Sequence, residues 1–220
     1  MWHVLVAAAV LALVLLDVLF DGAARQIDGS AAHWLLDLGV RDSDVLGTIG
    51  YLLSQAGGRG TNLAWMVVLC AVIFVQRRTL APLVQVLSAT GLMYVAVYPI
   101  KEWLSRSYPA DPAGDYLHAV GTLGGAFPSG HQVNATLLAS IGAWIAMEHI
   151  RSERVRRVIA IYAIVAPVVS AVAVLLMGYH WLSDVIAGTC AGVILLWLVR
   201  WFWATTVGTR VIEALTFPRR

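Results

Sequence analysis

The chain has 220 residues, of which 60% are hydrophobic and only 13% are charged. Because soluble domains carry about a quarter charged residues, this composition excludes an ordinary soluble domain and indicates a protein of the lipid bilayer. The net charge of +2, without a basic stripe, argues against a nucleic-acid partner. Cys70 and Cys190 lie in apolar runs with neither metal-ligand nor disulfide spacing, so we expect both in the core.

Six apolar segments meet or approach the roughly 20 residues that a helix needs to cross the hydrocarbon core. They cover residues 3–20, 60–76, 80–103, 128–148, 157–177 and 181–203. The first lacks the positive start of a cleavable signal peptide, so it counts as a span. Residues 30–39 and 43–58 have helical spacing but are too short to cross, as is typical of interfacial helices. The prediction is an all-α fold, a polytopic bundle of six transmembrane helices forming one membrane domain over residues 1–220, with short interfacial helices between spans one and two.

Arginines concentrate on one side of this predicted bundle. They follow span two, separate spans four and five, and occupy the C-terminal tail: Arg77, Arg78, Arg151, Arg154, Arg156, Arg157, Arg210, Arg219 and Arg220. Cytoplasmic loops carry the excess of Lys and Arg. We therefore expect an integral protein of the plasma (inner) membrane with cytoplasmic termini.

Three polar clusters then share the extracytoplasmic side. Span three ends in KEWLSRSYP, which contains Lys101 and Arg106, and Lys101 is the only lysine of the chain. A lone ammonium at a span end can simply reach the headgroups. However, ionisable groups at membrane depth usually face a partner or a wet cavity, so these two cations are also candidate ligands of an anion.

Span four begins with FPSGH, residues 127–131. Proline suits the first helical position, N1, and the amides that follow it point outward at the positive end of the helix dipole, where phosphate binds readily. Gly130 permits a close approach to the backbone, and Ser129 adds a hydroxyl. An ordinary helix start explains the tetrapeptide PSGH equally well when it is taken alone.

Span six begins with HWLSD, which places His180 and Asp184 four residues apart on one helical face. A carboxylate there can fix the tautomer of the imidazole and leave the other ring nitrogen free to react. Together with His131, these residues supply the nucleophile, orienter and acid that phosphoryl transfer through a phospho-histidine requires.

These three segments resemble, in order, the motifs K-x6-R-P, P-S-G-H and S-R-x5-H-x3-D of the type 2 phosphatidic acid phosphatase superfamily of integral membrane lipid phosphatases. The resemblance covers about residues 60–203. It implies that His180 is the nucleophile, that Asp184 orients it and that His131 protonates the leaving oxygen. It also implies that Lys101, Ser129 and Gly130 hold the phosphoryl oxygens, with no metal and no cofactor. The implied partner is a lipid phosphate in the membrane.

Two arginines of the motifs are missing. Tyr108 stands at the arginine of the first motif, and Val174 stands at that of the third. Each charged hydrogen bond to phosphate contributes about 1.5–3 kcal/mol, so we expect a substitute. Arg106, two residues before Tyr108, is the first choice, Arg59 is the second, and His118 in the outer loop is a third.

Three functions remain open at this point. The first is a phosphatase acting on a polyprenyl or glycerolipid phosphate or diphosphate. The second is a headgroup phosphotransferase or phosphodiesterase that uses the same His–His–Asp set, since a phosphodiester needs less cationic clamping. The third is a non-catalytic membrane protein. A metal site on His131, His180 and Asp184 is a further alternative, which chelator insensitivity would dismiss.

Overall fold

A computed structural model describes residues 2–110, Leu117 and residues 125–217, and it is helical almost throughout. The helices are α1 (Trp2–Leu19), α2 (Ala23–Asp37), α3 (Asp44–Ser54), α4 (Arg59–Arg77), α5 (Ala81–Leu104), α6 (Gly130–His149), α7 (Glu153–Leu176), α8 (Leu182–Trp203) and α9 (Thr206–Ala214). A single 3₁₀ turn, Gln55–Gly57, joins α3 to α4. The predicted all-α membrane fold is confirmed.

Five of the described helices are long and apolar enough to cross a membrane: α1, α4, α5, α7 and α8. The remaining predicted span, α6, has 20 residues but is not among the helices that are apolar enough to cross by composition alone. It lies in the middle of the bundle, contacts α4, α5, α7 and α8, and buries 12 of its residues. A helix that its neighbours shield from lipid can keep polar side chains such as Gln132 and Asn134, because the other helices supply their surroundings.

Close packing of α6 against α8 sets the position of both helix starts. Gly188 and Gly192 of α8 are spaced as in a GxxxG motif, which lets helix backbones approach closely. A Cβ atom on Gly188 would lie 2.6 Å from the carbonyl oxygen of Ser129, and one on Gly192 would lie 2.7 Å from the Cβ of Thr136. The first turns of the two helices are consequently adjacent, and the Ser129 amide donates to the Asp184 carbonyl at 3.0 Å.

The two predicted short helices between spans one and two are present as α2 and α3. Ser43 caps α3 by accepting from the Leu46 amide at 3.3 Å, and α3 packs on α7. The α2 helix begins at Ala23, seven residues before the predicted segment 30–39, and it packs on α1 and α8. Its early start brings the buried Asp28 into the helix.

Candidate active site

Three distant parts of the chain meet at one end of the bundle: the C-terminus of α5, the N-terminus of α6 and the turn between α7 and α8. They border a cavity of about 760 Å³, and its wall includes Lys101, Gly130, His131 and His180. Arg59, the first residue of α4, and Tyr108 also line it. Four of the seven predicted site residues thus reach a single cavity.

The two histidines face each other within this cavity. The ring centroids of His131 and His180 are 6.0 Å apart. His180 is buried, and its Nδ1 lies 3.5 Å from Oδ2 of Asp184. That distance is longer than an ordinary hydrogen bond, as is common for catalytic contacts before the substrate binds. The arrangement leaves Nε2 of His180 as the nitrogen that does not face Asp184.

Burial lowers the pKa of the His180 imidazole below its ordinary value, although the Asp184 carboxylate acts in the opposite direction. The charged form loses its hydration in this environment, so the neutral ring, which has a free lone pair, predominates at neutral pH. A neutral imidazole is the form that a nucleophile requires.

Asp184 is fully buried and is held by one backbone amide and by the Arg106 guanidinium. Its Oδ2 accepts from the Trp181 amide at 2.8 Å. Its Oδ1 accepts from the guanidinium of Arg106. The carboxylate therefore has a fixed orientation, with one oxygen toward His180 and the other toward Arg106.

The start of α6 differs in one detail from the prediction. Helix α6 begins at Gly130 with Ser129 as its N-cap, and the Ser129 hydroxyl accepts from the Gln132 amide at 3.3 Å. Pro128 therefore lies before the cap and not at N1. The amides of Gly130 and His131 are the first two of the helix and have no intrahelical acceptor, so they can still bind an anion. Ser129 is fully buried behind the cavity wall.

Lys101 connects α5 to the start of α6. Its ammonium Nζ donates to the Pro128 carbonyl at 2.9 Å, and its side chain lines the same cavity as His131 and His180. Since the ammonium has three donors, this contact leaves donors for a phosphoryl oxygen.

Arg106 lies away from the position predicted for a phosphate ligand. It is absent from the cavity wall and its side chain is fully buried, with the guanidinium 2.6 Å from Oδ2 of Asp28 and in contact with Asp184. It also donates to the Ser183 hydroxyl at 2.7 Å. The expectation that Arg106 replaces a phosphate-binding arginine is corrected, because two carboxylates hold the guanidinium in the protein interior.

The second choice, Arg59, has the required placement. It is exposed at the cavity wall with Lys101. At the positions of the missing motif arginines, Tyr108 lines the cavity, whereas Val174 is fully buried in α7. Burial raises the pKa of the Tyr108 phenol, so the group stays protonated, and it donates to the Gly125 carbonyl at 3.3 Å. His118, Arg219 and Arg220 lie outside the described residues.

Two polar residues of the site have no signal in the local sequence. Asp28 on α2 contacts Arg106, 78 residues away, and no spacing pattern connects them. Asn134 lines the cavity below His131 although it is almost completely buried. Within the described residues, no three His, Cys, Asp or Glu side chains cluster closely enough to hold a metal ion.

Lys101, His131 and His180 thus line one cavity in a membrane helix bundle, and Asp184 lies beside His180. The chain belongs to the PAP2 superfamily, whose family model matches residues 82–207, and it is a lipid phosphatase. Phosphatidylglycerophosphatase B of Bacillus subtilis (strain 168) is 26% identical over 151 residues, which cover 68% of this chain and 71% of that protein. The crystal structure of the first transmembrane PAP2 type phosphatidylglycerolphosphate phosphatase from Bacillus subtilis has the same fold. It superposes with a TM-score of 0.72 at 22% identity and covers 89% of this chain and 94% of its own.

Proposed function

We propose that this lipid phosphatase hydrolyses a polyprenyl or glycerolipid phosphate or diphosphate at the extracytoplasmic face through a phospho-histidine intermediate. The observation that carries the proposal is the 6.0 Å separation of the His131 and His180 rings across one cavity. Reacting atoms need to approach within about 3–3.5 Å. A phosphoryl group bound between the two rings can therefore contact a nitrogen of each.

In the first half-reaction, Nε2 of His180 attacks phosphorus, and the bond from phosphorus to the leaving oxygen breaks. His131 donates a proton to that oxygen, which departs as an alcohol or, for a diphosphate, as a lipid phosphate. Asp184 stabilises the positive charge that develops on the His180 ring. In the second half-reaction, water attacks the phospho-histidine, His131 takes a proton from the water, and inorganic phosphate leaves while His180 is regenerated.

The phosphate grip in this proposal combines Lys101, Arg59 and the first amides of α6. Lys101 and Arg59 line the same cavity, so both positive charges can face the phosphoryl oxygens. The amides of Gly130 and His131 add donors at the positive end of the helix dipole. Arg59, on α4, binds the phosphoryl oxygens in place of the arginines that are missing at positions 108 and 174.

The lipid is proposed from two observations. One wall of the cavity is formed by Met93, Tyr94, Val97 and Tyr98 of α5, which suits a glycerol or isoprenoid unit next to the phosphate. The relative in Bacillus subtilis is named a phosphatidylglycerophosphatase, so phosphatidylglycerophosphate is the first substrate to test. The extracytoplasmic location rests on the arginines at the opposite end of the bundle, since cytoplasmic loops are the positive ones.

The test is a phosphate-release screen over phosphatidylglycerophosphate, phosphatidic acid and a polyprenyl diphosphate, with and without acceptor alcohols. We expect the native protein to release free phosphate without an acceptor and the His180→Ala variant to release none, while both elute as the same folded species in detergent. Full activity of His180→Ala would refute the mechanism. Headgroup transfer that depends on the acceptor would favour the phosphotransferase instead.

The matched control is His149→Ala. His149 ends α6 at the far end of the helix from His131 and does not line the cavity. We expect this variant to keep the native rate. A loss in His180→Ala would then be specific to His180 and not a general effect of removing a histidine.

A further inference from the structure

The buried contacts behind His180 form one charged unit that includes a residue from outside the segment matched by the family model. Arg106 donates to Asp184 and, at 2.6 Å, to Asp28. Asp28 lies on α2, whereas the matched segment begins at residue 82. The side chains of all three residues are at most 1% exposed.

Asp28 is also bonded directly to the helix that carries Asp184. Its Oδ1 accepts from the Ser183 amide at 2.9 Å, and its Oδ2 accepts from the Ser183 hydroxyl. The amides of the first helical turn have no acceptor within the helix, so Asp28 supplies one from another element. Helix α2 is thereby attached to the residue next to Asp184.

From these contacts we infer that Asp28 is a positioning residue for the hydrolysis: through Arg106 it sets how much of the negative charge of Asp184 is available to His180. A guanidinium held by Asp184 alone would draw the carboxylate charge away from the imidazole. Asp28 offsets that guanidinium, so Asp184 still stabilises the cationic ring formed during attack. The inference rests on the proposed role of His180.

The geometry supports an electrostatic role over mere packing. In the protein interior, charges interact more strongly than in water because screening is weak. The guanidinium is shared between two carboxylates on different helices. The charges of Asp28, Arg106 and Asp184 add up to −1. Removing Asp28 changes that sum by +1, and removing Arg106 changes it by −1. A variant lacking both restores the native sum.

The experiment is a double-variant cycle in the full-length protein in detergent, with kcat and KM measured on the lipid that the native protein hydrolyses. The variants are Asp28→Asn, Arg106→Gln and the two combined. Mutation of the outer-shell partners of metal-bound histidines typically costs about 10- to 100-fold in activity or metal affinity, and we expect an effect of similar size behind His180. We expect Asp28→Asn to lose about tenfold or more in kcat, because the guanidinium of Arg106 is then held by Asp184 alone. Arg106→Gln should lose a similar factor for a different reason: it leaves two buried carboxylates without the cation between them, which favours protonation of one of the two. KM should stay within about threefold of native in both variants, because neither residue lines the cavity.

The decisive comparison is the combined variant. We expect its kcat to exceed that of both single variants, because the charge beside Asp184 returns to the native sum. A combined variant no faster than the faster single variant, or a native kcat in Asp28→Asn, would overturn the inference. If Asp28→Asn does not fold, the combined variant is compared with Arg106→Gln alone. If Asp28→Asn folds, Asp28→Glu, which keeps the charge, should retain more activity than Asp28→Asn.

Asp37→Asn is the matched control. Asp37 ends the same helix α2 but is 64% exposed and faces His33. We expect native kcat and KM in this variant. His180→Ala measured in the same series separates the two hypotheses: if it keeps full activity, the proposed mechanism fails, whereas a failed double-variant cycle with an inactive His180→Ala rejects only the role of Asp28.

Discussion

The cavity wall and the buried cluster behind it each hold one arginine, in opposite environments. Arg59 is exposed at the cavity, whereas Arg106 is fully buried between Asp28 and Asp184. Arg106 is closer in sequence to the motif position, yet its guanidinium already has carboxylate partners. The exposure of an arginine and the partners that it already has, more than its distance from the motif in sequence, therefore decide whether it can bind phosphate.

After the complete loss expected in His180→Ala, removal of the proposed acid, His131, should have the largest effect. We expect His131→Gln to lower kcat by about 10²- to 10⁴-fold, since that is the usual contribution of a positioned general acid or base. The leaving oxygen of an aryl phosphate needs less protonation than that of an alkyl phosphate. In a stopped assay of phosphate release, the loss of kcat in His131→Gln should therefore be smaller on an aryl phosphate than on the lipid. An equal loss on alkyl and aryl substrates would contradict an acid role for His131.

Substitutions at the two arginines should affect different kinetic constants. We expect Arg59→Ala to raise KM by about tenfold or more, because a charged hydrogen bond to phosphate contributes about 1.5–3 kcal/mol, while Arg106→Gln lowers kcat. Initial rates over a range of lipid concentrations in mixed micelles measure both. Arg154→Ala, at an exposed position at the start of α7, is the control and should match the native protein. An unchanged KM in Arg59→Ala would remove Arg59 from the phosphate grip.

The smallest expected effect is a shift in pH dependence. Because burial lowers the pKa of His180, the neutral, nucleophilic ring predominates above a pKa that lies below the ordinary value of about 6.5. We therefore expect the acid limb of kcat/KM, which reports the free enzyme, to have its midpoint below about pH 6.5. A midpoint above that value would indicate that His180 is stabilised in its charged form before reaction.

The spans were predictable because long apolar runs have few alternatives. Predicted and observed bounds of α1, α4, α5 and α8 agree within one residue. Helix α7 starts at Glu153, four residues before the prediction, because Ser152 caps a polar first turn that a search for apolar residues cannot detect. Capping residues of this kind determine where a helix starts, and the apolar content of a segment gives no information about them.

The site was predictable only where local motifs carry it. His180 and Asp184 are spaced one helical turn apart, and the tetrapeptide PSGH starts a helix, so short patterns indicated them. The buried pair of Asp28 and Arg106 depends on the packing of α2 against α8. A short sequence pattern cannot indicate a contact between residues so far apart in sequence. The position of the Arg106 side chain could therefore be known only from the structure.

The most direct measurement is chemical quenching of the reaction with a lipid whose terminal phosphate is radiolabelled, followed by peptide mapping. We expect a base-stable, acid-labile label on the peptide containing His180, absent in His180→Ala and present in His149→Ala. A label on another residue, or full phosphate release by His180→Ala, would contradict the proposed mechanism.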